Sequence, residues 1–386
     1  MIVEARSGGE VVNFEFSDDQ RLLRDQVRRF LVDNGSVKAA RAVLDDDGLA
    51  YDKALWRSIV ELGWTGAIIP EEFGGAGMIR EDLCVIAEEL GRSLAPTPFA
   101  SSVYLVTEAL LIAGDEGYKS HYLPELASGE SIGCFAMAEG IGIPTPTNVK
   151  TTFLDGKLNG VKKPVLDGDI ADFAIVVART ADAGDESLSL ALVDLTADGV
   201  RRDKVSTVDP TRSQAEITFD GAAAELLGGA GQGFSLMERI FDRAAVYLAF
   251  EQVGGAQAAL DMAVDYSQNR FAFGRAIGSF QAIKHKLVNI YVDLELARAN
   301  AYYGAWAMTN DAPDLPIAAA AARVSASEAF NHAARENIQT HGGMGFTWEF
   351  DCHLYYRRAK QLSLAIGGER RWTDRLITKL EQRNAA

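Results

Sequence analysis

Two short stretches in the last third of the chain decide the fold. Residues 266–274 read Tyr-Ser-Gln-Asn-Arg-Phe-Ala-Phe-Gly, and Phe280-Gln281 follow shortly afterwards. Residues 339–346 read Gln-Thr-His-Gly-Gly-Met-Gly-Phe. Each stretch closes a helical pattern with turn residues, so both are expected at the ends of helices.

Both turns carry residue types that bind nucleotides, and both also have a simpler explanation. Arg270 can cap a helix C-terminus through the helix dipole, or it can hold a pyrophosphate with paired charge-assisted hydrogen bonds. The glycines at 342, 343 and 345 can form a helix C-cap. Alternatively, their bare backbone can let an adenine and its ribose lie against the chain. Neither motif alone decides between these explanations.

The hydrophobic pattern divides the chain into three parts. In the first third, apolar residues recur at three- and four-residue spacing, and Ser17 with Gln20 predicts a capping box at the first helix. The apolar runs then become short and β-rich, before the helical spacing returns at Phe234. We therefore predict an N-terminal all-α domain at 1–128, a small antiparallel β-domain at 129–230 and a C-terminal four-helix bundle at 231–386.

The individual elements follow from the same pattern. Strands are predicted at 132–137, 151–154, 173–177, 189–193 and 215–219, with turns at Leu154-Asp155-Gly156 and Leu158-Asn159-Gly160. Long helices are predicted at 246–263, 280–298, 318–339 and 368–380, and they favour a four-helix bundle. The first of these helices is rich in alanine and glycine, which predicts a close approach to a neighbouring helix.

The composition argues against several classes of function. The chain has 386 residues, 48% of them hydrophobic, and a formal net charge of −16. Nucleic acid and anionic membrane surfaces both attract clustered lysine and arginine, so neither is an expected partner. The three cysteines are widely spaced without a ligand-like partner, which predicts reduced thiols, no disulfide and no metal site. Because Met1–Glu15 lacks a signal-peptide core and no long apolar run follows, we expect a soluble cytoplasmic protein.

The two motifs, set in a helical, β and helical chain, resemble the acyl-CoA dehydrogenase family. The likeness also covers Phe-Thr-Trp-Glu at 346–349, Tyr-Arg-Arg-Ala-Lys at 356–360 and the Pro-Glu-Glu-Phe-Gly-Gly loop at 70–75, so it spans the whole chain. It implies the three-part fold of that family and the α,β-dehydrogenation of an acyl-CoA thioester with FAD as acceptor. It further implies reoxidation by an electron-transfer flavoprotein. The expected assembly is a homotetramer or a heterotetramer with a second dehydrogenase subunit.

The resemblance also assigns residues to FAD. In the family, the matching arginine and phenylalanine contact the FAD of the neighbouring subunit, and the glycine turn lies beside the adenylate half. The residues so assigned are Arg270, Phe273, Gly274, Phe280, Gln281, Gln339, Gly342, Gly343 and Gly345.

The residues expected around the flavin ring depart from the family pattern. Where members carry Thr-Glu-Pro, residues 138–140 read Ala-Glu-Gly, and Ile143-Pro144 replace a following Gly-Ser. A hydroxyl and a backbone N–H donor are therefore missing. In the next family segment, Pro164 replaces an aromatic residue and Leu166 replaces a hydroxyl. The pattern is altered around the ring and retained around the adenylate half.

The catalytic base is a third departure. Abstraction of a proton α to a thioester needs a positioned carboxylate. Most members place it just before a Gly-Thr late in the chain, where this sequence has Ile366-Gly367. A minority place it on the helix before the arginine motif, where this sequence has Ala244. The nearby carboxylates that remain as candidates are Asp242, Glu251 and Glu369.

Three functions fit this pattern. The first is an ordinary FAD-dependent acyl-CoA dehydrogenase with an unusual base and flavin pocket. The second is a non-catalytic subunit that donates the adenylate half of a shared FAD in a heterotetramer, as in bacterial relatives acting on steroid side-chain CoA esters. The third keeps the fold but releases a leaving group without the usual base.

Overall fold

The computed structural model describes residues 16–34, 36–142, 144–180 and 187–385. The N-terminal third of the chain is helical. This part contains α1 (Asp18–Asp33), α2 (Ser36–Asp45), α3 (Lys53–Glu61), α4 (Arg80–Arg92), a π-helical segment (Ala100–Thr107), α5 (Glu108–Ala113) and α6 (Glu116–Ser128). Ser17 Oγ accepts a hydrogen bond from the Gln20 N–H at 3.2 Å, and Gln20 Oε1 accepts one from the Ser17 N–H at 2.9 Å. The predicted capping box at α1 is therefore confirmed.

Within the described ranges, the middle part folds into one eight-stranded sheet. Its strands are β1 (Gly133–Ala136), β2 (Thr152–Leu154), β3 (Lys157–Leu166), β4 (Phe173–Arg179), β5 (Leu188–Asp194), β6 (Val200–Lys204), β7 (Gln214–Ala223) and β8 (Glu225–Leu227). Along the sheet the order is β6-β7-β3-β2-β4-β5-β8, and β1 pairs with β4. The strands β3, β6 and β8 were not predicted.

The sheet is mixed, whereas the sequence predicts an antiparallel one. β1 runs parallel to β4, and β2 also meets β4 in parallel, at Thr152 and Arg179. The other ladders are antiparallel, so the structure differs from the prediction at these two pairings. The difference is topological. In the sequence the β2–β3 hairpin separates β1 from β4, and β4 then pairs with β1 in the same direction.

The predicted turn at Leu158-Asn159-Gly160 is wrong, because these residues lie within β3. The chain already reverses at Asp155-Gly156, which have left-handed φ values of 51° and 73° and place Leu154 opposite Lys157. Asn159 instead sits at a shift in the β3–β7 register, where its Oδ1 accepts a hydrogen bond from the Gly221 N–H at 2.9 Å. Asparagine and glycine therefore mark a bulge here and not a turn.

Long helices dominate the C-terminal part. They are α7 (Gly233–Asn269), α8 (Gln281–Thr309), α9 (Leu315–His341), α10 (Cys352–Leu364) and α11 (Glu369–Ala385), with a short ribbon of β9 (Phe271–Ala272) and β10 (Arg275–Ala276) after α7. The four predicted helices are present, and α10 is an additional one. None of the helices in the described ranges is long and apolar enough to cross a membrane.

The N-terminal and C-terminal parts meet where α4 crosses α7. At Gly91 on α4, a β-carbon would overlap the backbone carbonyl of Glu251, and at Gly254 on α7 it would overlap that of Glu88. Only glycine lets two helix backbones approach this closely. The predicted close approach of the alanine- and glycine-rich helix is therefore confirmed, and it holds Glu251 against the N-terminal helices.

Replacing Gly254 by alanine is expected to destabilise the protein. The added methyl overlaps the Glu88 carbonyl, and overpacking of this kind costs about 1–3 kcal/mol. Urea unfolding of Gly254→Ala beside the wild-type protein measures the effect. Gly343→Ala is the matched control, because a β-carbon at Gly343 meets no atom within 4 Å. Equal losses in the two variants would contradict the steric explanation.

Candidate functional site

The two sequence motifs are joined by an aromatic contact. Tyr266, near the end of α7, stacks on His341 at the end of α9 with ring centroids 4.0 Å apart, and Phe350 packs against both rings. Burial lowers the pKa of His341, whose Nδ1 lies 2.9 Å from the Asn337 carbonyl oxygen. The ring is therefore neutral near pH 7, and it holds the ends of α7 and α9 side by side.

The first motif forms an exposed hairpin after α7. Arg270 ends α7 and has an exposed side chain, and the β9–β10 ribbon turns through Phe273 and Gly274. Both turn residues have left-handed backbone, with φ of 55° and 79°. The Phe273 side chain is 95% exposed, and its ring approaches Phe280 edge-on at 6.3 Å. A large apolar ring in this position is available to a ligand or a second subunit.

The second motif is an open glycine turn at the end of α9. A β-carbon at Gly342 or Gly343 would meet no atom within 4 Å. Gly342 has a left-handed φ of 60°, but no described neighbour requires glycine at 343. Gly345 differs, because its β-carbon would lie 2.5 Å from the Ile338 carbonyl oxygen, so packing alone explains this glycine. The turn therefore offers one bare backbone face, on which a flat ligand can lie.

The remaining residues assigned to the cofactor also lie at helix ends. Gln281 is the first residue of α8, Gln339 lies in the last turn of α9, and both are exposed. Phe280 is half-buried, and the Arg275 guanidinium lies 4.0 Å from its ring centroid. Exposure at helix ends lets these side chains reach a neighbouring molecule. Their contact with FAD stays a prediction.

The two segments that depart from the family pattern lie side by side. The Lys163 N–H donates to the Ala138 carbonyl and the Gly140 N–H donates to the Lys163 carbonyl, both at 2.7 Å. Beside them, the buried Lys162 Nζ lies 2.7 Å from Glu139 Oε1. Burial lowers the pKa of Lys162 to about 8, although Glu139 opposes the shift. The ion pair and the backbone bonds hold the two segments as one surface.

This surface lacks donors that the family pattern offers to a flavin ring. Ala138 and Leu166 have no hydroxyl, and Pro144 has no N–H. Ile143, another departure from the pattern, lies outside the described residues. The described residues of this surface therefore lack donors that the family pattern offers to the flavin ring, and the contact of the glycine turn with the adenylate half stays a prediction.

The three candidate bases lie in different environments. Asp242 on α7 accepts hydrogen bonds from Arg375 Nη2 on both carboxylate oxygens, at 2.7 and 2.8 Å. Glu251 is fully buried between two arginine side chains. Glu369 is exposed at the start of α11. Two of the three carboxylates are thus held in ion pairs, and none is yet assigned as the base.

A buried ion-pair network surrounds Glu251. Arg212 donates to Glu251 Oε1, and Arg358 Nη1 lies 3.5 Å from the same oxygen. Arg358 also donates to Asp209 Oδ2 at 2.7 Å and to Thr211 Oγ1 at 2.8 Å. The sequence does not single out residues 209–212, which have the composition of a loop, and it marks Arg358 only as part of a motif. The network places two guanidinium groups against two carboxylates in the interior.

A further buried carboxylate, Asp167, directly follows β3. Ser101 Oγ, on the π-helical segment, donates to Asp167 Oδ2 at 2.6 Å, and Ser213 Oγ donates to Oδ1 at 3.3 Å. Burial raises the pKa of Asp167 to about 6, although Ser101 and Arg212 oppose the shift. The sequence does not single out this residue, because a lone aspartate after a strand resembles an ordinary turn residue.

The turn between α10 and α11 contains Ile366 and Gly367, where the resemblance predicts that the usual base would fall. The Ile366 side chain is buried, and its φ of 50° is unusual for a β-branched residue. Arg323 on α9, also buried, donates to the Leu362 and Ala365 carbonyls and to Gln252 Oε1 on α7. This one guanidinium ties the turn to α7.

Comparison with known proteins identifies the family. The model of the N-terminal domain of acyl-CoA dehydrogenases matches residues 17–130, and that of the C-terminal domain matches residues 231–372. The acyl-CoA dehydrogenase IpdE2 of Mycobacterium tuberculosis is 36% identical over 343 residues, which cover 89% of this chain and 91% of that protein. The chain therefore belongs to the acyl-CoA dehydrogenase family.

Solved structures of the family have the same fold. Glutaryl-coenzyme A dehydrogenase, in its complex with glutaryl-CoA, has a TM-score of 0.88 at 26% identity. The match covers 97% of this chain and 98% of that chain. A variant of the Tcur3481-Tcur3483 steroid acyl-CoA dehydrogenase has a TM-score of 0.85 at 28% identity. This match covers 96% of this chain and 99% of that chain. The predicted three-part fold is thus confirmed, and the function of the chain is that of a family that dehydrogenates acyl-CoA thioesters with a flavin.

Asp167→Asn is expected to change how stability depends on pH. The folded carboxyl has a pKa of about 6, above the unfolded value of about 4, so its contribution is complete at pH 4 and is lost as the pH rises through 6. Asparagine has the same shape and does not titrate. As the pH rises from 4.5 to 7, the wild-type protein should therefore lose stability that the variant keeps. Thermal unfolding at each pH measures the difference between the two proteins. Asp198→Asn, at an exposed position, is the control. Parallel curves for wild type and Asp167→Asn would contradict the burial argument.

Proposed function

We propose that this chain acts in the α,β-dehydrogenation of an acyl-CoA thioester and binds the adenylate half of an FAD at a subunit interface. The observation that carries the proposal is the open backbone at Gly342 and Gly343, where no described neighbour explains the glycine at 343. Arg270 would hold the pyrophosphate with charge-assisted hydrogen bonds. FAD, when bound, accepts the two hydrogens that leave the acyl group. An electron-transfer flavoprotein is the proposed final acceptor.

Exposed apolar side chains support an interface beside this surface. Phe271 and Phe273 on the hairpin are 67% and 95% exposed. Along α8, Val288, Val292 and Leu296 recur at four-residue spacing, and they are 56%, 48% and 58% exposed. Contiguous apolar surface of this kind marks protein interaction sites. A homotetramer and a heterotetramer would both cover it.

The altered ring-side segments favour a second candidate, a subunit that shares FAD without catalysing the reaction. Ala138 and Leu166 lack the hydroxyls of the family pattern, Pro144 lacks its N–H, and Ile366-Gly367 stand where the usual base is expected. Such a chain would donate the adenylate half, while its partner would supply the ring half and the base. The steroid relative is named for two components, Tcur3481 and Tcur3483, which is consistent with such a pairing.

The flavin content of the chain purified alone separates the two candidates. Stoichiometric FAD, whose absorbance bleaches when an acyl-CoA is added, would support a complete enzyme. A flavin-free chain that gains FAD only when a second dehydrogenase subunit is added would support sharing. A chain that holds no FAD under either condition would contradict the proposal as a whole.

Gly343→Val is expected to reduce FAD binding without reducing the stability of the apoprotein. The valine side chain projects onto the open face, where the chain itself has no atom within 4 Å of the β-carbon. Arg270→Ala should also lower FAD affinity, by about tenfold or more, through the lost charge-assisted bonds. Retained FAD per chain and thermal unfolding of the apoprotein are the two measurements.

Arg370→Ala is the control for the second variant, because its side chain is 96% exposed on α11. It should retain FAD as the wild-type protein does. Wild-type FAD content in both Gly343→Val and Arg270→Ala would refute the assignment of the two motifs.

A further inference from the structure

Helix α2 binds the segment that follows the glycine turn through one guanidinium group. Arg41 Nη1 donates to the Trp348 carbonyl oxygen at 2.7 Å. The Nε and Nη2 atoms of Arg41 both donate to Asp351 Oδ1, at 3.0 and 2.6 Å. The two acceptor residues lie 307 and 310 positions further along the chain. One side chain of the N-terminal part therefore binds both ends of residues 348–351.

A second residue of α2 binds the same segment. Trp348 Nε1 donates to Asp45 Oδ1 at 2.9 Å, and the Trp348 ring stacks on His353 with ring centroids 4.8 Å apart. The Trp348 side chain is half exposed, so little apolar burial holds it in place. Its carbonyl and its indole are instead both bound by α2.

The segment between these contacts packs on both sequence motifs. The Phe350 ring centroid lies 6.3 Å from that of Tyr266 and 5.8 Å from that of His341. Tyr266 lies four residues before Arg270 near the end of α7, and His341 directly precedes Gly342 at the end of α9. A displacement of Phe350 would therefore loosen the contact between the two helix ends that carry the motifs.

The glycine turn is fixed from its two ends. A β-carbon at Gly342 or Gly343 would meet no atom within 4 Å, so the open face contributes no packing contact of its own. Helix α9 precedes the turn, and residues 347–351 follow it. Thr347 closes the turn, since its N–H donates to the Met344 carbonyl oxygen at 3.1 Å. A binding surface keeps its geometry only when neighbouring contacts support it, and here α2 supplies that support.

We propose that Arg41 is a positioning residue for the FAD surface. By fixing residues 348–351, it keeps Arg270 and the glycine turn at the spacing that the adenylate half of FAD requires. The inference rests on the proposed function, in that the glycine turn must itself receive FAD. Arg41 acts through Trp348 and Asp351, and its planar fork is what lets one side chain bind both acceptors.

Titration of the apoprotein with FAD, followed by the quenching of flavin fluorescence, tests the proposal. Arg41→Gln should weaken FAD binding by about two- to thirtyfold, the range expected for a residue that acts on a ligand through intermediate contacts. Arg41→Lys keeps the charge but loses the two-acceptor geometry, so it should restore little of the affinity. If the wild-type protein binds FAD only with a second dehydrogenase subunit, that subunit is added at one concentration to every titration.

Arg28→Gln is the matched control, because it removes the same charge from a similar ion pair. Arg28 on α1 donates to both carboxylate oxygens of Glu89 on α4, at 2.9 and 2.6 Å. Glu89 is buried, so the variant leaves a carboxylate without its partner in the interior. The apoprotein should therefore lose at least as much thermal stability as Arg41→Gln does. Its affinity for FAD should remain that of the wild-type protein, which separates positioning from a general loss of stability.

Wild-type affinity in Arg41→Gln would overturn the proposal, and so would an equal loss of affinity in Arg28→Gln or full affinity in Arg41→Lys. If Arg41→Gln does not fold, Asp351→Asn decides, because it removes the charged acceptor of Arg41 and should also weaken FAD binding. A wild-type protein that binds no FAD, alone or with a second subunit, would overturn the proposed function together with the inference. FAD binding that Arg41→Gln leaves unchanged overturns only the inference.

Discussion

The backbone contact between α4 and α7 is the constraint on which the rest of the structure depends. At Gly91 and Gly254 the two helices leave no room for a β-carbon, so their relative position is set by main-chain atoms. Helix α7 is 37 residues long and carries the ion pair of Asp242, the buried network at Glu251 and, at its end, Arg270. Since one rigid helix bears all three, a displacement of α7 against α4 would move the interior charges and the exposed motif together.

The buried arginines of this acidic chain bind carboxylates and carbonyl oxygens in the interior. Arg212 and Arg358 face carboxylates, whereas Arg323 bonds to carbonyl oxygens at the end of α10, where the helix dipole is negative. Buried ion pairs give little net stability compared with apolar packing of the same volume, but removing one partner is costly. The network is therefore better explained by the relative positions of α7, α10 and the 209–212 segment that it fixes than by its contribution to the free energy of unfolding.

The sequence could predict features that depend on local periodicity, and it could not predict those that depend on distant partners. The helices and the Ser17 cap follow from spacing and from contacts within one turn. β3 and β6 are rich in lysine, arginine, asparagine and aspartate, and they become strands because β7 pairs with both. In the candidate site, the exposed residues at helix ends form motifs that can be recognised in the sequence. The pairing of Arg358 with Asp209 joins residues 149 positions apart, so no local sequence pattern predicts it.

The exposed hairpin after α7 has a consequence for the behaviour of the protein in solution. Phe273 stands at its tip, next to the arginine assigned to the pyrophosphate, so under the proposed arrangement one surface serves both cofactor and neighbouring subunit. If the cofactor and the second subunit also contact each other there, each raises the affinity of the other by the same factor. Dilution would then remove flavin and subunits as one event, and an excess of FAD would hold the assembly together at concentrations where the apoprotein separates.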